Sequence, residues 1–479
     1  RHGHRMGTGD RNDVVISSWR MAQRTFRRQR AGLRFVVVRA AGHRVHFAVS
    51  ARDQRDRQLP LSRFVAAQVE EKEMKIIIVG AGIGGSALAL SLQKTGLDYV
   101  LLEQAPSFGE VGAGIQLSPN AVRVLTWLGL GEDLERFCAE PDFHKYSVWD
   151  TGETVLRVAL MPQVRKIYGS AYYHAYRPDV IDALTRRLDP SRIKMNHKVK
   201  SMGQDANGAW VVCENGERYE GDVVIGADGI HSIVREQVFK PDPPRASGFV
   251  SWRGVLDAAD VSDLKVPVSA YVDMGPELSF VYYYISGGRK MNWLATGPAN
   301  GKKLESWSQT ASKEEILAAF NGWYDRPQRI IAATKEIFVT AMYDRNPLDS
   351  WVDRRIALMG DAAHAMLPYH ASGAGQGIED AWVLARCLEL GETDPKKALK
   401  HYEELRLERA NRMVRHSREA EGWYHLADAE AVAQRNARFR KKNEAFGDRI
   451  TPEQHWLYSY DAEKAVLGSD TEWRSLPAW

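Results

Sequence analysis

Residues 75–85 read Lys-Ile-Ile-Ile-Val-Gly-Ala-Gly-Ile-Gly-Gly, an apolar run that ends in a glycine-rich turn. A continuous run rich in β-branched residues is typical of a parallel strand buried on both faces. Gly80 permits a tight turn, Gly82 lets the backbone approach a pyrophosphate, and Gly85 lets the next helix pack on the strand. Residues 86–94 follow helical periodicity, so the free N–H groups at the helix start would hold phosphate charge. The stretch predicts a dinucleotide site.

A second apolar run, at residues 99–102, ends in Glu103. A carboxylate about 20 residues after the glycines is placed to accept hydrogen bonds from ribose hydroxyls. The alternative is a glycine turn in an α/β protein that binds no dinucleotide. The agreement of strand, glycines, helix and terminal acid favours the dinucleotide site.

Three further segments carry a family resemblance. They are residues 110–121 (Glu-Val-Gly-Ala-Gly-Ile-Gln-Leu-Ser-Pro-Asn-Ala), residues 223–232 (Val-Val-Ile-Gly-Ala-Asp-Gly-Ile-His-Ser), and residues 359–381, which begin Met-Gly-Asp-Ala-Ala-His and end Gly-Ala-Gly-Gln-Gly-Ile-Glu-Asp-Ala. In this order and spacing they resemble the FAD-dependent aromatic hydroxylases of the single-component, p-hydroxybenzoate hydroxylase-like group. The resemblance runs from Met74 to about Leu390 and is closest to salicylate hydroxylases.

The resemblance implies an α/β fold in which a Rossmann-like FAD-binding domain is interleaved with a mixed β-sheet substrate domain, followed by a C-terminal helical segment. We expect the FAD-binding parts at about 74–143, 171–246 and 346–392. We expect the substrate-sheet parts at about 144–170 and 247–345, and the C-terminal helical region at 393–479.

The resemblance also assigns residues to FAD. Asp228 follows a buried strand, where an acid can accept hydrogen bonds from ribose, and in the family this element serves both FAD and the nicotinamide cofactor. Asp361 ends another apolar strand, where its carboxylate can bind the ribityl chain. Arg177 resembles the arginine that contacts the flavin before a helix; its alternative is an ion pair with Asp179 at the helix start. The predicted cofactor-binding residues are Gly80, Gly82, Gly85, Glu103, Gly114, Arg177, Asp228, Asp361, Ala374 and Gly375.

The loop at residues 366–375 is rich in small residues, so its backbone can approach a flat ring closely. A helix is predicted from about Gly375 to Leu390, and its positive end would face the flavin pyrimidine. Salicylate hydroxylases commonly have a histidine directly after the proline of this loop, whereas here Tyr369 and then His370 follow it. Ala371 and Ser372 replace the more usual glycine and alanine. Either Tyr369 or His370 is therefore the expected base.

On the substrate side, Arg253 and Tyr283 lie where relatives place polar groups over the flavin. The guanidinium of Arg253 would match the two oxygens of an aromatic carboxylate. The alternatives are a surface arginine on a strand and, for the three tyrosines at 282–284, aromatic residues on both faces of a sheet. Arg253, Tyr283, Tyr369 and His370 form the predicted catalytic set.

The implied reaction needs no metal. NADH or NADPH reduces FAD, O2 forms a flavin C4a-hydroperoxide, and an electron-rich phenol attacks it, while the protein positions the ring, excludes water and supplies a base. With a carboxylate ortho to the hydroxyl, the product is a catechol and carbon dioxide. The alternatives are a hydroxylase or epoxidase of a secondary metabolite, or a flavoprotein that does not hydroxylate small molecules.

The first 73 residues differ in composition from the rest. They hold 15 arginines and one lysine against seven acids, whereas the remainder is mildly acidic within a net charge of +4. We expect this basic leader not to belong to the fold. A mitochondrial targeting peptide and a nucleic-acid arm are the alternatives.

Composition also bears on compartment and partners. No apolar run approaches the roughly 20 residues of a membrane span. Three scattered cysteines suit a reducing compartment, so we expect a cytoplasmic protein, or a mitochondrial one if the leader is a targeting peptide. The expected partners are a small aromatic substrate and O2, without nucleic acid, and a homodimer is the candidate assembly.

Residues 395–426 are helical in character. Lys400, Glu404, Glu408 and Arg412 recur at four-residue spacing and predict a solvated face, opposite an apolar side. We expect this helix to pack on the FAD-binding domain, and the tail aromatics Trp456, Tyr458 and Tyr460 to cap the core.

Overall fold

The computed structural model describes the backbone of residues 29–30, 33–40 and 43–50, and describes in full residues 74–109, 112–239, 242–300, 309–391, 394–469 and 473. The chain divides into two compact units, Arg1–Lys72 and Glu73–Trp479.

In chain order, the described strands are β1 Gln29–Arg30, β2 Leu33–Ala40, β3 His43–Ser50, β4 Lys75–Val79, β5 Asp98–Leu102, β6 Gly114–Leu117, β7 Phe143–Val148, β8 Thr154–Ala159, β9 Tyr173–Tyr176, β10 Ile193–Lys194, β11 Val199–Gln204, β12 Ala209–Cys213, β13 Arg218–Gly221, β14 Val223–Gly226, β15 Arg245–Asp257, β16 Ala270–Met274, β17 Ser279–Ile285, β18 Lys290–Pro298, β19 Phe338–Asp344, β20 Val352–Asp353 and β21 Ile356–Leu358. The described helices are α1 Ile83–Thr95, α2 Pro119–Trp127, α3 Gly131–Phe137, α4 Gln163–Tyr168, α5 Arg177–Thr185, α6 Ile233–Val238, α7 Lys313–Ala319, α8 Asp325–Ala333, α9 Asp361–His364, α10 Gly373–Leu390, α11 Pro395–Tyr424, α12 Ala429–Phe446, α13 Pro452–Tyr458 and α14 Ala462–Val466.

The described part of the first unit is an antiparallel sheet in the order β1-β2-β3. The apolar run at residues 35–38 lies within β2. The paired strands extend beyond that run on both sides. Residues 1–28 and 51–73, which carry the rest of the leader, lie outside the described residues.

The second unit contains a six-stranded sheet, here the dinucleotide sheet, in the order β10-β5-β4-β14-β21-β20. Its pairs are parallel except β20 with β21. The apolar strand β4 is buried from Ile76 to Val79, as a strand covered on both faces must be. Because β4, β14 and β21 are neighbours, the three glycine-bearing turns that follow them meet at one edge.

A seven-stranded mixed sheet, here the substrate sheet, has the order β19-β15-β18-β17-β16-β7-β8. Its pairs are antiparallel except β16 with β7. Arg253 lies on β15, and the three tyrosines at 282–284 lie on β17. The chain alternates between the two sheets, which confirms the predicted α/β fold with an interleaved second sheet.

Helices α11 to α14 form the C-terminal region. In α11, Leu399, Tyr402 and Met413 are buried, while Lys400, Glu404 and Glu408 are exposed, as the spacing predicts. Arg412 departs from the prediction, because it is half-buried with its guanidinium over the Trp456 ring. The tail residues Trp456, Tyr458 and Tyr460 are buried in the hydrophobic core that includes the dinucleotide sheet. Among the described helices, none combines the length and apolar character that crossing a bilayer requires.

Candidate active site

The carboxyl ends of β4, β14 and β21 are joined by backbone hydrogen bonds. Ala227 N donates to Val79 O at 2.8 Å, and Met359 N donates to Gly226 O at 2.9 Å. Beyond this edge lies a cavity of about 1200 Å³. Its walls include the dinucleotide turns, the inner face of the substrate sheet and the C-terminal helices, so one space joins all three parts of the unit.

The glycine-rich turn has the shape that a pyrophosphate needs. Gly80 has φ +98°, and a Cβ there would lie 2.5 Å from Ala227 O. A Cβ on Gly85 would lie 1.9 Å from Gly80 O, whereas Gly82 has nothing within 4 Å. Gly82 is the N-cap of helix α1, which has neither a side-chain cap nor an acid in its first turn. The free N–H groups and the open space beside Gly82 therefore fit a phosphate.

Glu103 follows β5 and holds the same turn. Its carboxylate accepts from Ala81 N and from Ala105 N, both at 2.8 Å. Each oxygen retains acceptor capacity, so a ribose hydroxyl remains a suitable further partner. Glu103 itself lies outside the cavity wall, and its neighbour Gln104 is within it.

Asp228 lies in the cavity wall and also caps α6. Its carboxylate accepts from Ser232 Oγ at 2.6 Å, Ile233 N at 2.8 Å and Val234 N at 3.3 Å. Burial raises the pKa of Asp228, and these hydrogen bonds oppose the rise. The acid expected to hold ribose therefore has a structural partner of its own, which the sequence did not reveal.

Asp361, Arg177 and Arg253 surround one part of the cavity. Burial lowers the pKa of Arg177, and the charge of Asp361 opposes that effect. Burial, together with the charge of Arg177, lowers the pKa of Arg253. The carboxylate of Asp179 lies near Arg289 and Arg136. The site thus groups two guanidinium ions with one carboxylate, a set suited to anionic ligands.

Gly114 and Tyr283 lie where the two-stranded sheet β6-β9 contacts the substrate sheet. Gly114 N donates to Asn292 Oδ1 at 2.7 Å, and a Cβ on Gly114 would lie 2.9 Å from the Tyr283 ring. The Tyr283 ring packs on His174 with centroids 4.4 Å apart. Both Gly114 and Tyr283 line the cavity.

Tyr369 and His370 line the cavity from the loop before α10. The Tyr369 hydroxyl lies 2.9 Å from His425 Nε2, while His425 Nδ1 lies 2.9 Å from Glu277 O. Because a carbonyl only accepts, His425 donates through Nδ1 and Tyr369 donates to Nε2. Burial lowers the pKa of His370 to about 4, so its ring is neutral at neutral pH. Both candidate bases therefore line the cavity, His370 as a neutral imidazole and Tyr369 as a hydrogen-bond donor to His425.

Helix α10 begins at Gly373, two residues before the predicted start, without a side-chain cap or an acid in its first turn. Ala374 lines the cavity, whereas Gly375 packs towards Ala121, whose Cβ would lie 3.6 Å from a Cβ added at Gly375. Gly377, which the sequence did not single out, passes close to Gly84 and Gly360. The N-terminus of α10 therefore faces the cavity, and small residues hold the helix against the glycine turns.

Sequence reasoning missed two groups. The first is a buried network in which Arg406 pairs with Glu379 and Asp380, Arg409 pairs with Glu379, and Asp380 accepts from Gly360 N at 2.9 Å. The second is the cavity wall formed by α11, α12 and α13. The signal that could have found that wall is the spacing along one helical face of Arg435, Arg438, Phe439 and Lys442.

Comparison with known proteins agrees with this site. A family model described as FAD binding domain matches residues 73–417. A 3-amino-4-hydroxybenzoate 2-monooxygenase of Streptomyces cremeus is 32% identical over 370 residues, covering 77% of this chain and 92% of that protein. A 3-hydroxybenzoate 6-hydroxylase of Klebsiella oxytoca is 34% identical over 404 residues, covering 82% and 99%.

A solved salicylate hydroxylase in complex with its substrate shares the fold. Its TM-score is 0.70 at 24% identity, over 85% of this chain and 98% of that one. The glycine turn, the uncapped starts of α1 and α10, and Asp361 beside Arg177 fit FAD as the cofactor. With the family model spanning most of the chain, this protein belongs to the FAD-dependent aromatic hydroxylases.

Proposed function

We propose that the protein uses NADH or NADPH and O2 to hydroxylate a phenolic aromatic acid, with salicylate and its conversion to catechol as the specific reaction to test. The observation that carries the proposal is the single cavity that connects the FAD-binding turns with an aromatic-rich sheet bearing Arg253. When bound and reduced, FAD would activate O2, which supplies the oxygen atom.

The chain's own residues would divide the remaining work. The start of α1 would hold the pyrophosphate, and Asp361 the ribityl hydroxyls. Arg253 would bind a carboxylate, which would offset both the burial of its charge and the repulsion from Arg177. His370, whose ring is neutral at neutral pH, would accept the phenolic proton.

A second candidate is a hydroxylase or epoxidase of a larger secondary metabolite. The cavity favours it because the space extends past Tyr369 and His370 to Tyr458 on α13 and Phe439 on α12. A cavity of that extent would accommodate more than one ring beside the flavin.

The test is oxidation of NADH and of NADPH by FAD-loaded protein, with O2 uptake and product analysis, against phenols led by salicylate. Coupled turnover that forms catechol would support the salicylate proposal. Stimulation that yields only hydrogen peroxide would reject salicylate as the substrate. A lack of stimulation by every phenol would favour the larger substrate, or a flavoprotein that does not hydroxylate. Light scattering of the same preparation tests the homodimer.

A further inference from the structure

One end of the cavity is walled by the C-terminal helices. We call it the C-terminal lobe and define it by Tyr146, His370, Tyr424, Arg435, Phe439 and Tyr458, all of which line the cavity. The Tyr146 and Phe439 rings lie 5.5 Å apart, centroid to centroid, and α12 packs along β8. The lobe therefore presents aromatic surfaces suited to a second ring or an apolar linker.

Arg435 is the charged group at the base of this lobe, with only 2% of its surface exposed. Its guanidinium donates to Asn436 Oδ1 at 3.1 and 3.2 Å and to Trp423 O at 3.1 Å. Three of its five N–H groups are thus used, all on neutral acceptors. Within the part of the chain that the structure describes, no carboxylate forms an ion pair with Arg435. Burial lowers its pKa to about 10.

The surrounding charges leave the lobe positive. Lys442 is paired with Glu453 at 2.8 Å, so these two cancel. Arg438 lies at the exposed edge of the same helical face. Burial lowers the pKa of His144 and of His370 to about 4, so neither adds charge at neutral pH. A buried cation without a counter-ion is costly, and an anion supplied by a ligand would offset that cost.

We propose that the C-terminal lobe binds a carboxylate group of the substrate that is distant from the carbon to be hydroxylated, with Arg435 as the counter-ion. This inference rests on the proposed function and adds one substrate class to it, aromatic acids that carry an acidic group remote from the flavin. Arg253 lies beside Arg177 near the cofactor turns, so it serves a group near the flavin. Arg435 would bind a carboxylate at the C-terminal end of the cavity.

The test compares acids with their amides on FAD-loaded protein. The probes are 4-hydroxybenzoate and 3-(4-hydroxyphenyl)propanoate, each with its primary amide, and salicylate as the acid with an adjacent carboxylate. Dissociation constants come from the change in flavin absorbance on titration, so turnover is not required. We expect Arg435→Gln to raise the dissociation constant of an acid with a remote carboxylate on the order of 10- to 100-fold, because the substitution removes a hydrogen bond to a charged group. The dissociation constants of the amides and of salicylate should change less than about threefold.

Arg440→Gln is the matched control, since Arg440 lies on the same helix and pairs with Glu153 at the surface. Arg435→Lys keeps the charge but loses the planar fork, and should restore part of the acid preference. Equal weakening of acid and amide by Arg435→Gln would overturn the proposal while leaving the proposed function intact.

The wild-type protein gives a test that does not depend on folding of a variant. Equal affinity for acid and amide, or no binding of either remote acid, would overturn the role of Arg435. Stimulation of NADH oxidation by a phenol under either result would show that the proposed function survives. A preference for remote acids that Arg435→Gln abolishes would support the lobe.

Discussion

Two arginines on the C-terminal helices are both buried, yet their surroundings differ. Arg406 on α11 pairs with Glu379 and Asp380 of α10 and is fully buried. Among the residues that the structure describes, Arg435 on α12 has a backbone carbonyl and an amide oxygen as its only acceptors, and it lines the cavity. An arginine whose charge is balanced within the fold acts as a structural tie. One whose charge is left unbalanced beside a cavity is suited to a ligand.

The largest effect is expected at the structural arginine. Arg406→Met leaves Glu379 and Asp380 with less compensation, and removing one partner of a buried ion pair costs about 3–5 kcal/mol. Arg435→Met removes an unbalanced charge and should change the free energy of unfolding by about 1 kcal/mol or less. Urea unfolding of the two variants under the same FAD loading measures the difference. Equal losses in the free energy of unfolding would contradict the distinction between a structural role for Arg406 and a ligand-binding role for Arg435.

The next effect concerns the arginine near the cofactor turns. Arg253→Ala should raise KM for salicylate on the order of 10- to 100-fold, because a charged hydrogen bond to the carboxylate is lost. KM for an uncharged phenol should change far less, since that ligand has no group for the guanidinium. Steady-state kinetics on both substrates measure the two values. Equal effects on both would remove the carboxylate-pairing role of Arg253.

A smaller effect is expected in the cavity-lining loop that carries Tyr369 and His370. Ala371 has φ +50°, a left-handed conformation that disfavours side chains, at a position where the family resemblance makes glycine more usual. Ala371→Gly should stabilise the protein by about 0.5–1 kcal/mol, the relief of strain less the greater entropy of the unfolded chain. Ala206→Gly in an exposed turn is the control and should destabilise slightly. Thermal unfolding of both variants gives the sign of each change in stability. A lower stability of Ala371→Gly would argue against backbone strain at Ala371.

The smallest effect concerns pH and decides which groups charge the C-terminal lobe. The folded pKa of His144 and of His370 is about 4, below the ordinary value for histidine, so both rings stay neutral as pH falls from about 8 to 5. Affinity for a remote acid should therefore be nearly flat over that range, because Arg435 keeps its charge. Titrations of 4-hydroxybenzoate at several pH values measure this. A steady rise in affinity towards pH 5 would assign the charge to histidine, with His416, Lys442 and Glu453 as the nearby groups to examine.

The dinucleotide turns could be predicted because their constraints are local. The strand at residues 75–79, the three glycines and the helix after them are adjacent in sequence, and each glycine has one physical reason to be there. Asp228 shows the limit of such reasoning. Its position after a strand predicted a cofactor contact, but its bonds to Ser232 and Ile233 appear only once α6 has formed.

The sequence alone determined the α/β class, the FAD turns and the aromatic-hydroxylase family, since each depends on short segments in a fixed order. Only the tertiary structure decided the roles of the arginines on the C-terminal helices. The spacing of Arg406 and of Arg435 is equally compatible with a solvated helix face, and nothing local distinguishes them. Only the packing of α11 on α10, and of α12 on β8 beside the cavity, gives one arginine two carboxylates and leaves the other in the cavity wall with neutral acceptors.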